Sequence, residues 1–289
     1  MASTLTLPLA LAMLGIGVGA GFLGALVGIG GGVLVVPSLV LAFGVPMRVA
    51  IATSLVAVVA TSTAAGSVYV GSGTANMRLG MTLEIATTLG GISGGILAAR
   101  VPTGWLSGAF GALLALTAVL LVSRREPEPA PPGGEGARGR RGWESPGRLA
   151  GGYVSARGQV VPYVAARTPL GMLVSFAAGI ASGLLGVGGG FLKVPAMALG
   201  MRVPFKVAAA TSNFMIGVTA ISSLFIYFAR GDVVPALAAP VAIGIGGGAL
   251  AGTAASHRIH PVVLRWVLGA VLAFVAVEMV LRAAGVTLG

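Results

Sequence analysis

Lys193 stands inside an apolar stretch that begins with a glycine cluster, Gly186-Val187-Gly188-Gly189-Gly190-Phe191-Leu192-Lys193-Val194-Pro195. A lysine at the centre of a membrane helix costs about 2.5–3.5 kcal/mol on insertion scales. Two readings stay open: the side chain snorkels to an interface, or it is a fixed positive charge that draws an anion. Nearby in sequence, Thr211-Ser212-Asn213 offers two hydroxyls and an amide, and Thr53-Ser54 offers two hydroxyls in the N-terminal half. Such hydroxyls either bond their own helix backbone at i−4 or serve as paired donors to an oxyanion. Carboxylates are scarce in the apolar segments: Glu84 and Glu278, both near segment ends. That scarcity speaks against a cation substrate and leaves Glu84 as the candidate coupling group. His257 and His260 flank a turn, where an interfacial position competes with a two-histidine metal site; no metal is expected. There is no Gly-x-x-x-x-Gly-Lys-Ser/Thr motif and no cysteine, so neither an enzyme nor a cofactor is implied.

The glycine cluster occurs twice. Gly28-Ile29-Gly30-Gly31-Gly32 precedes Pro37, and Gly186-Val187-Gly188-Gly189-Gly190 precedes Pro195. Consecutive glycines cost a helix about 1 kcal/mol each against alanine, and non-helical backbone in a membrane survives only where it is buried in protein or lines a cavity. A break there frees the N–H groups that open the following short helix, together with about half a positive charge. The substrate-binding candidates are therefore Gly28, Gly30, Gly31, Gly32, Thr53, Ser54, Gly186, Gly188, Gly189, Gly190, Lys193, Thr211, Ser212 and Asn213, with Pro37 and Pro195 structural. Close helix packing is the competing use of glycine, and it suits Gly17-xxx-Gly21 and Gly244-xxx-Gly248-xxx-Gly252 better.

More than half of the residues are hydrophobic and fewer than a tenth charged, far from the balance of a soluble domain. Apolar runs of about 20 residues recur, long enough to cross the hydrocarbon core. The net charge of +11 does not point to nucleic acid, because eight of the eighteen basic residues lie in one linker and most others flank apolar segments, as topology signals do. No charged residue precedes Arg48, so the first apolar segment is expected to be retained rather than cleaved.

Five segments precede the linker, near 7–27, 33–43, 49–70, 81–99 and 105–122, and five follow it, near 170–185, 191–201, 207–228, 235–256 and 261–281. A shift of 158 residues carries Gly28 onto Gly186, Pro37 onto Pro195, Pro46 onto Pro204, Thr53-Ser54 onto Thr211-Ser212, Tyr69 onto Tyr227 and Arg100 onto Arg258 without a gap. The expected organisation is a first transmembrane repeat at 1–123, an Arg/Pro/Gly-rich cytoplasmic linker at 124–168 and a second repeat at 169–289. The linker is read as flexible, with 153–166 against the membrane surface. If each short segment crosses, the halves are inverted five-pass repeats; if it re-enters, they are parallel four-pass repeats. The positive-inside count favours the inverted form.

The stretches Gly-Phe-Leu-Gly-Ala-Leu-Val-Gly-Ile-Gly-Gly-Gly-Val-Leu-Val-Val-Pro (21–37) with Ala-Thr-Ser (52–54), and Ser-Gly-Leu-Leu-Gly-Val-Gly-Gly-Gly-Phe-Leu-Lys-Val-Pro (182–195) with Ala-Thr-Ser-Asn (210–213), resemble the TauE/SafE family, sulfite exporters also described as four-toluene sulfonate uptake permeases. The similarity covers the chain apart from the linker, which is longer and richer in arginine than the family leads one to expect. The resemblance implies secondary transport of sulfur-containing or organic anions (sulfite, sulfonate, thiosulfate or sulfoacetate-like) in either direction. The expectation is an all-α integral protein of the cytoplasmic membrane, multi-pass, working by alternating access with proton coupling. Its partners are then a small anion and the lipid bilayer, with a homodimer allowed and no nucleic acid. A passive anion channel, or a non-transporting subunit anchoring a partner through the linker, are the alternatives.

Overall fold

The computed structural model describes residues 7–27, 30–71, 74–123, 149–154, 160–255 and 261–284. Almost all of this is helix: α1 (Leu7–Val27), α2 (Gly32–Pro37), α3 (Met47–Gly71), α4 (Met77–Arg100), α5 (Thr103–Ser123), α6 (Thr168–Leu185), α7 (Gly190–Pro195), α8 (Phe205–Ala229), α9 (Pro235–Ala255) and α10 (Pro261–Ala283). An apolar chain in lipid has to satisfy its own backbone, and a helix does this within one segment. Seven of these helices are long and apolar enough to cross a membrane among the described residues. Large apolar side chains such as Leu11, Ile85, Leu173, Phe225, Ile243 and Phe274 point outward, as a lipid-facing surface requires. The chain is a multi-pass membrane protein whose spanning segments are all helical.

The short helices α2 and α7 each run directly into one π-helical turn, Ser38–Ala42 and Ala196–Gly200. A proline stands at each junction. Pro37 and Pro195 have no N–H to offer the preceding turn. The next amides reach back instead to two carbonyls each, Ser38 N–H to Leu34 and Val35, and Ala196 N–H to Leu192 and Lys193. The sequence locates both prolines and both short helices; the π turn is the part it leaves out.

Glycine contacts give the direction of each helix. A Cβ added at Gly17 would strike the main chain of Val241, one at Gly248 that of Val18, and one at Gly252 that of Phe22. Residue numbers rise together, so α1 runs parallel to α9. Gly90 against Phe176, Gly94 against Ile180 and Gly183 against Gly91 make α4 parallel to α6 in the same way. Gly80 against Thr211 and Gly95 against Ile226 make α4 parallel to α8, whereas Gly104 against Ala283 and Gly111 against Ala276 set α5 antiparallel to α10. The links α3–α4 and α8–α9 are far shorter than the roughly 20 helical residues needed to re-cross a bilayer, so each joins helices of opposite direction. It follows that α1, α3 and α9 run one way and α4, α6 and α8 the other. Since α1 and α3 are parallel, the short element between them carries the chain back.

One expectation changes in the linker. Its last part is ordered: β1 (Ala150–Val154) pairs antiparallel with β2 (Val160–Val164). Val160-Val161-Pro162-Tyr163-Val164 has the β-branched and aromatic content that favours a strand. Ala165 N–H to the Leu149 carbonyl extends the ladder, and two bonds tie the hairpin to the helical part: Ala166 N–H to the Met201 carbonyl, and Asn76 Nδ2 to the Tyr163 hydroxyl at 2.9 Å. Burial raises the Tyr163 phenol above its ordinary pKa, with the Asn76 bond opposing, so the hydroxyl stays protonated and the contact is indifferent to physiological pH.

At the opposite face three arginines are committed to main chain or to a carboxylate. Arg48 Nη2 donates to the Ala99 carbonyl at 3.1 Å and the Val101 carbonyl at 3.3 Å, where α4 ends. Arg282 Nη1 donates to the Val40 carbonyl at 2.8 Å in the first π turn. Arg230 pairs with Asp232 at 3.1 Å and lies over the Tyr227 ring. Cations at helix C-termini are stabilising in their own right, which explains basic residues on the face that the positive-inside count disfavours.

Candidate functional site

The two glycine breaks, far apart in sequence, meet in the core. Ser54, two turns into α3, donates its hydroxyl to the Gly186 carbonyl at 2.7 Å and lies 3.2 Å from the Gly32 carbonyl. A Cβ on Gly32 would fall 2.6 Å from the Gly186 carbonyl and 2.7 Å from Ser54 Oγ. Only a glycine lets the backbones approach this closely.

The breaks are related but not identical. Gly30 and Gly188 both have positive φ, 84° and 76°. Gly31 is right-handed at φ −69° and caps α2, whereas its counterpart Gly189 is left-handed at φ 74° and caps α7. Gly186, also left-handed, closes α6 by donating its N–H to the Ser182 carbonyl at 2.7 Å. The Gly31 carbonyl accepts from Leu34 and Val35, and that of Gly189 from Leu192 and Lys193. The amides of Gly32, Val33, Gly190 and Phe191 thus precede the first intrahelical bonds. Gly28 lies outside the described residues, as do His257 and His260.

The polar candidates divide. Thr53, Ser54, Thr211, Ser212 and Asn213 are all buried. Thr53 Oγ1 and Ser212 Oγ have no hydrogen-bond partner among the described residues, and neither does Ser182 Oγ. Buried hydroxyls without partners are uncommon, and here they cluster on the segments next to the breaks. Thr211 is used elsewhere: its hydroxyl accepts the Asn76 N–H at 2.9 Å, at the start of α4. The Asn213 carbonyl accepts from the Ser62 hydroxyl, joining α8 to α3.

Lys193 does not snorkel. It is 1% exposed, and its Nζ donates to the Thr219 hydroxyl at 2.8 Å on α8. That hydroxyl lies 2.7 Å from Glu84 Oε1 on α4, and Lys193 Nζ lies 3.9 Å from Glu84 Oε2. Glu84 is itself buried, so its place near one end of an apolar segment is not a place at the membrane surface. The lysine therefore has a counter-ion within the fold, and its charge is balanced as the structure stands. Helical side chains lean toward the helix N-terminus. Lys193 thus reaches α8 one turn from Ile216, the residue on which Gly188 packs.

The sequence profile described as "Sulfite exporter TauE/SafE" matches residues 13–279. The chain belongs to the TauE/SafE family. Among relatives of this family member, the probable membrane transporter protein YunE of Bacillus subtilis (strain 168) is 26% identical over 268 residues, covering 90% of this chain and 93% of its own. A probable membrane transporter protein of Xylella fastidiosa (strain 9a5c) is 29% identical over 267 residues, 91% of each chain. A counterpart from strain Temecula1 is 28% identical over the same length. No solved structure matches significantly. The TauE/SafE profile spans both breaks and both hydroxyl pairs, so this is a membrane transporter and not an enzyme.

Four residues of the TauE/SafE core escaped the sequence reading as participants. Thr219 bridges the lysine and the carboxylate, Ser62 ties α3 to α8, Ser182 presents an orphaned hydroxyl, and Asn76 caps α4 by accepting the Leu79 N–H at 3.0 Å. A buried threonine looks like any other threonine in an apolar run. Asn76, before a new apolar segment, carried a readable capping signal.

Proposed function

We propose that the chain is a secondary transporter moving sulfur-containing or organic anions (sulfite, sulfonate, thiosulfate or sulfoacetate-like) across the cell membrane, by alternating access and with proton coupling. Ser54 joined to the Gly186 carbonyl carries the reading, because it brings the two breaks into one place. The anion would sit against the first amides of α2 and α7, with the hydroxyls of Thr53 and Ser212 as donors. The sulfur chemistry is an extension of the family description, which names sulfite.

The same reading takes the halves as inverted repeats of five segments, 1–123 and 169–289, with the linker cytoplasmic. Two observations speak for it. The shift of 158 that aligns the sequence also carries Gly32–Pro37 onto Gly190–Pro195 and Met47–Gly71 onto Phe205–Ala229. The equivalent helices α1 and α6 run in opposite directions. Rocking of one bundle on the other about the breaks would then expose the site alternately.

Counterflow through the purified chain in proteoliposomes, with sulfite, thiosulfate, taurine, sulfoacetate and simple carboxylates, tests the assignment. Exchange of at least one sulfur-containing anion that depends on intact Gly32 and Gly189 is the expected result. Flux of none of them would remove the anion reading.

A further inference from the structure

The ion pair of Lys193 and Glu84 has no counterpart in the other half: the shift of 158 places Val35 opposite Lys193 and Ala242 opposite Glu84. Packing alone does not call for it. We propose that Glu84 and the transported anion take turns as counter-ion to Lys193, so that each anion bound requires one proton on Glu84. The proposal rests on the anion-transport reading above and adds its stoichiometry, its charge balance and the charge class of its substrate.

Three observations carry it. First, the contact is loose in the way an exchangeable partner should be. Lys193 Nζ is 3.9 Å from Glu84 Oε2, and that oxygen is buried without a hydrogen bond. An orphaned carboxylate oxygen in the core is a place for a proton. Second, Thr219 has two acceptors for one hydrogen. Its hydroxyl lies 2.7 Å from Glu84 Oε1 and 3.0 Å from the Met215 carbonyl, while accepting from Lys193. With Glu84 ionised the hydrogen points to Oε1; with Glu84 neutral it turns to Met215, and no bond is lost. Third, among the described residues no other carboxylate faces the lysine. Glu84 lies on α4, which packs against α6 and α8. α6 carries no ionisable side chain, and on α8 Lys206 stands in the first turn and Tyr227 two turns beyond Thr219. Among the described residues Lys193 is the charged group that acts on Glu84.

The cycle balances. In the empty state Lys193 is cationic and Glu84 anionic. On loading, a proton from the side facing the site adds to the free oxygen of Glu84, and the ammonium turns to the incoming anion. On the opposite side the anion and the proton leave, and the pair reforms. Both states are neutral, so the moving core carries no net charge through the low dielectric. A dianion would leave one charge uncompensated there, which is costly. The substrate class is therefore a monoanion such as a sulfonate, and transport is driven by a pH gradient but not by membrane potential.

The test uses the full chain in proteoliposomes with methanesulfonate and isethionate as monoanions and sulfate and thiosulfate as dianions. One proton per anion predicts accumulation of a monoanion by about tenfold per pH unit, the thermodynamic limit for that ratio. A potassium diffusion potential should leave this accumulation unchanged. Glu84→Gln should abolish accumulation while slower exchange of labelled for unlabelled anion continues. Accumulation that follows the membrane potential, entry of dianions as well as monoanions, or pH-driven accumulation surviving in Glu84→Gln would each overturn the proposal. Because Glu84→Gln can fail to fold, an entrapped pH indicator reads the wild-type ratio directly: one proton entering per methanesulfonate supports the exchange, and anion entry without protons overturns it. Anion flux without protons removes this inference alone. Absence of any anion flux removes the transport reading with it.

Discussion

Ser54 on α3 donates its hydroxyl to the carbonyl of Gly186, 132 residues later, at 2.7 Å. This bond is the direct link between the two glycine breaks, so its removal should be felt in both. Ser54→Ala leaves two buried carbonyls short of a donor, a loss of about 1 kcal/mol. The expected outcome is a lowered unfolding temperature in detergent and slower counterflow. Flux indistinguishable from wild type would mean that the breaks do not need each other.

The glycines of the breaks should differ sharply from those on the outer face of α9. Gly32→Ala brings a methyl against the Gly186 carbonyl, and Gly189→Ala combines a left-handed φ with the Ala178 carbonyl 2.7 Å from the new Cβ. The left-handed conformation alone costs about 1–2 kcal/mol. At Gly247 nothing lies within 4 Å, and alanine should gain up to about 1 kcal/mol of helix propensity. Thermal unfolding and counterflow on the three variants should rank Gly247→Ala first; equal behaviour would dissolve the distinction between the glycines of the breaks and those of the outer face.

Removing one partner of a buried ion pair typically costs about 3–5 kcal/mol, because the other charge is left behind. Lys193→Met should therefore destabilise more than Lys193→Met with Glu84→Gln. The double variant should recover stability and insertion without recovering transport. A double variant as unstable as the single one would show that the lysine stem, rather than the pairing, matters.

The chain has no cysteine, so single introduced thiols report sidedness without background. Gly152→Cys in the hairpin and Arg100→Cys at the end of α4 lie at opposite faces of the bundle. A membrane-impermeant maleimide should reach Arg100→Cys in intact cells and Gly152→Cys only after permeabilisation. Labelling of both from one side would rule out the five-pass halves.

Much of this architecture was legible because lipid leaves so few choices. Runs of apolar residues became helices, and Pro37, Pro195 and the glycine clusters marked where helices stop. The proposed repeat rests on sparse residue types that recur in one register. Pairings across the core were not. Lys193 and Glu84 are 109 residues apart, and no local pattern announces a contact between α7 and α4. Thr211 looked equivalent to Thr53 by register, but the link before α4 claims its hydroxyl through Asn76, while Thr53 Oγ1 has no partner among the described residues. The hairpin was missed for another reason. Its strands sit at the end of a segment dominated by Arg, Pro and Gly, and the average composition hid the short run Val160–Val164.

The glycine seams also set a timetable. α1 finds its main partner in α9, and 208 residues separate the end of the first from the start of the second. At about 5–20 residues per second, a ribosome needs on the order of 10–40 s to deliver that partner. Through this interval the smooth glycine face of α1 has only lipid or a chaperone against it, and α4 waits for α6 over a shorter one. A helix made this early is thus among the last to be locked in place, and a synthesis that stalls in the linker leaves behind seams that have nothing to close on.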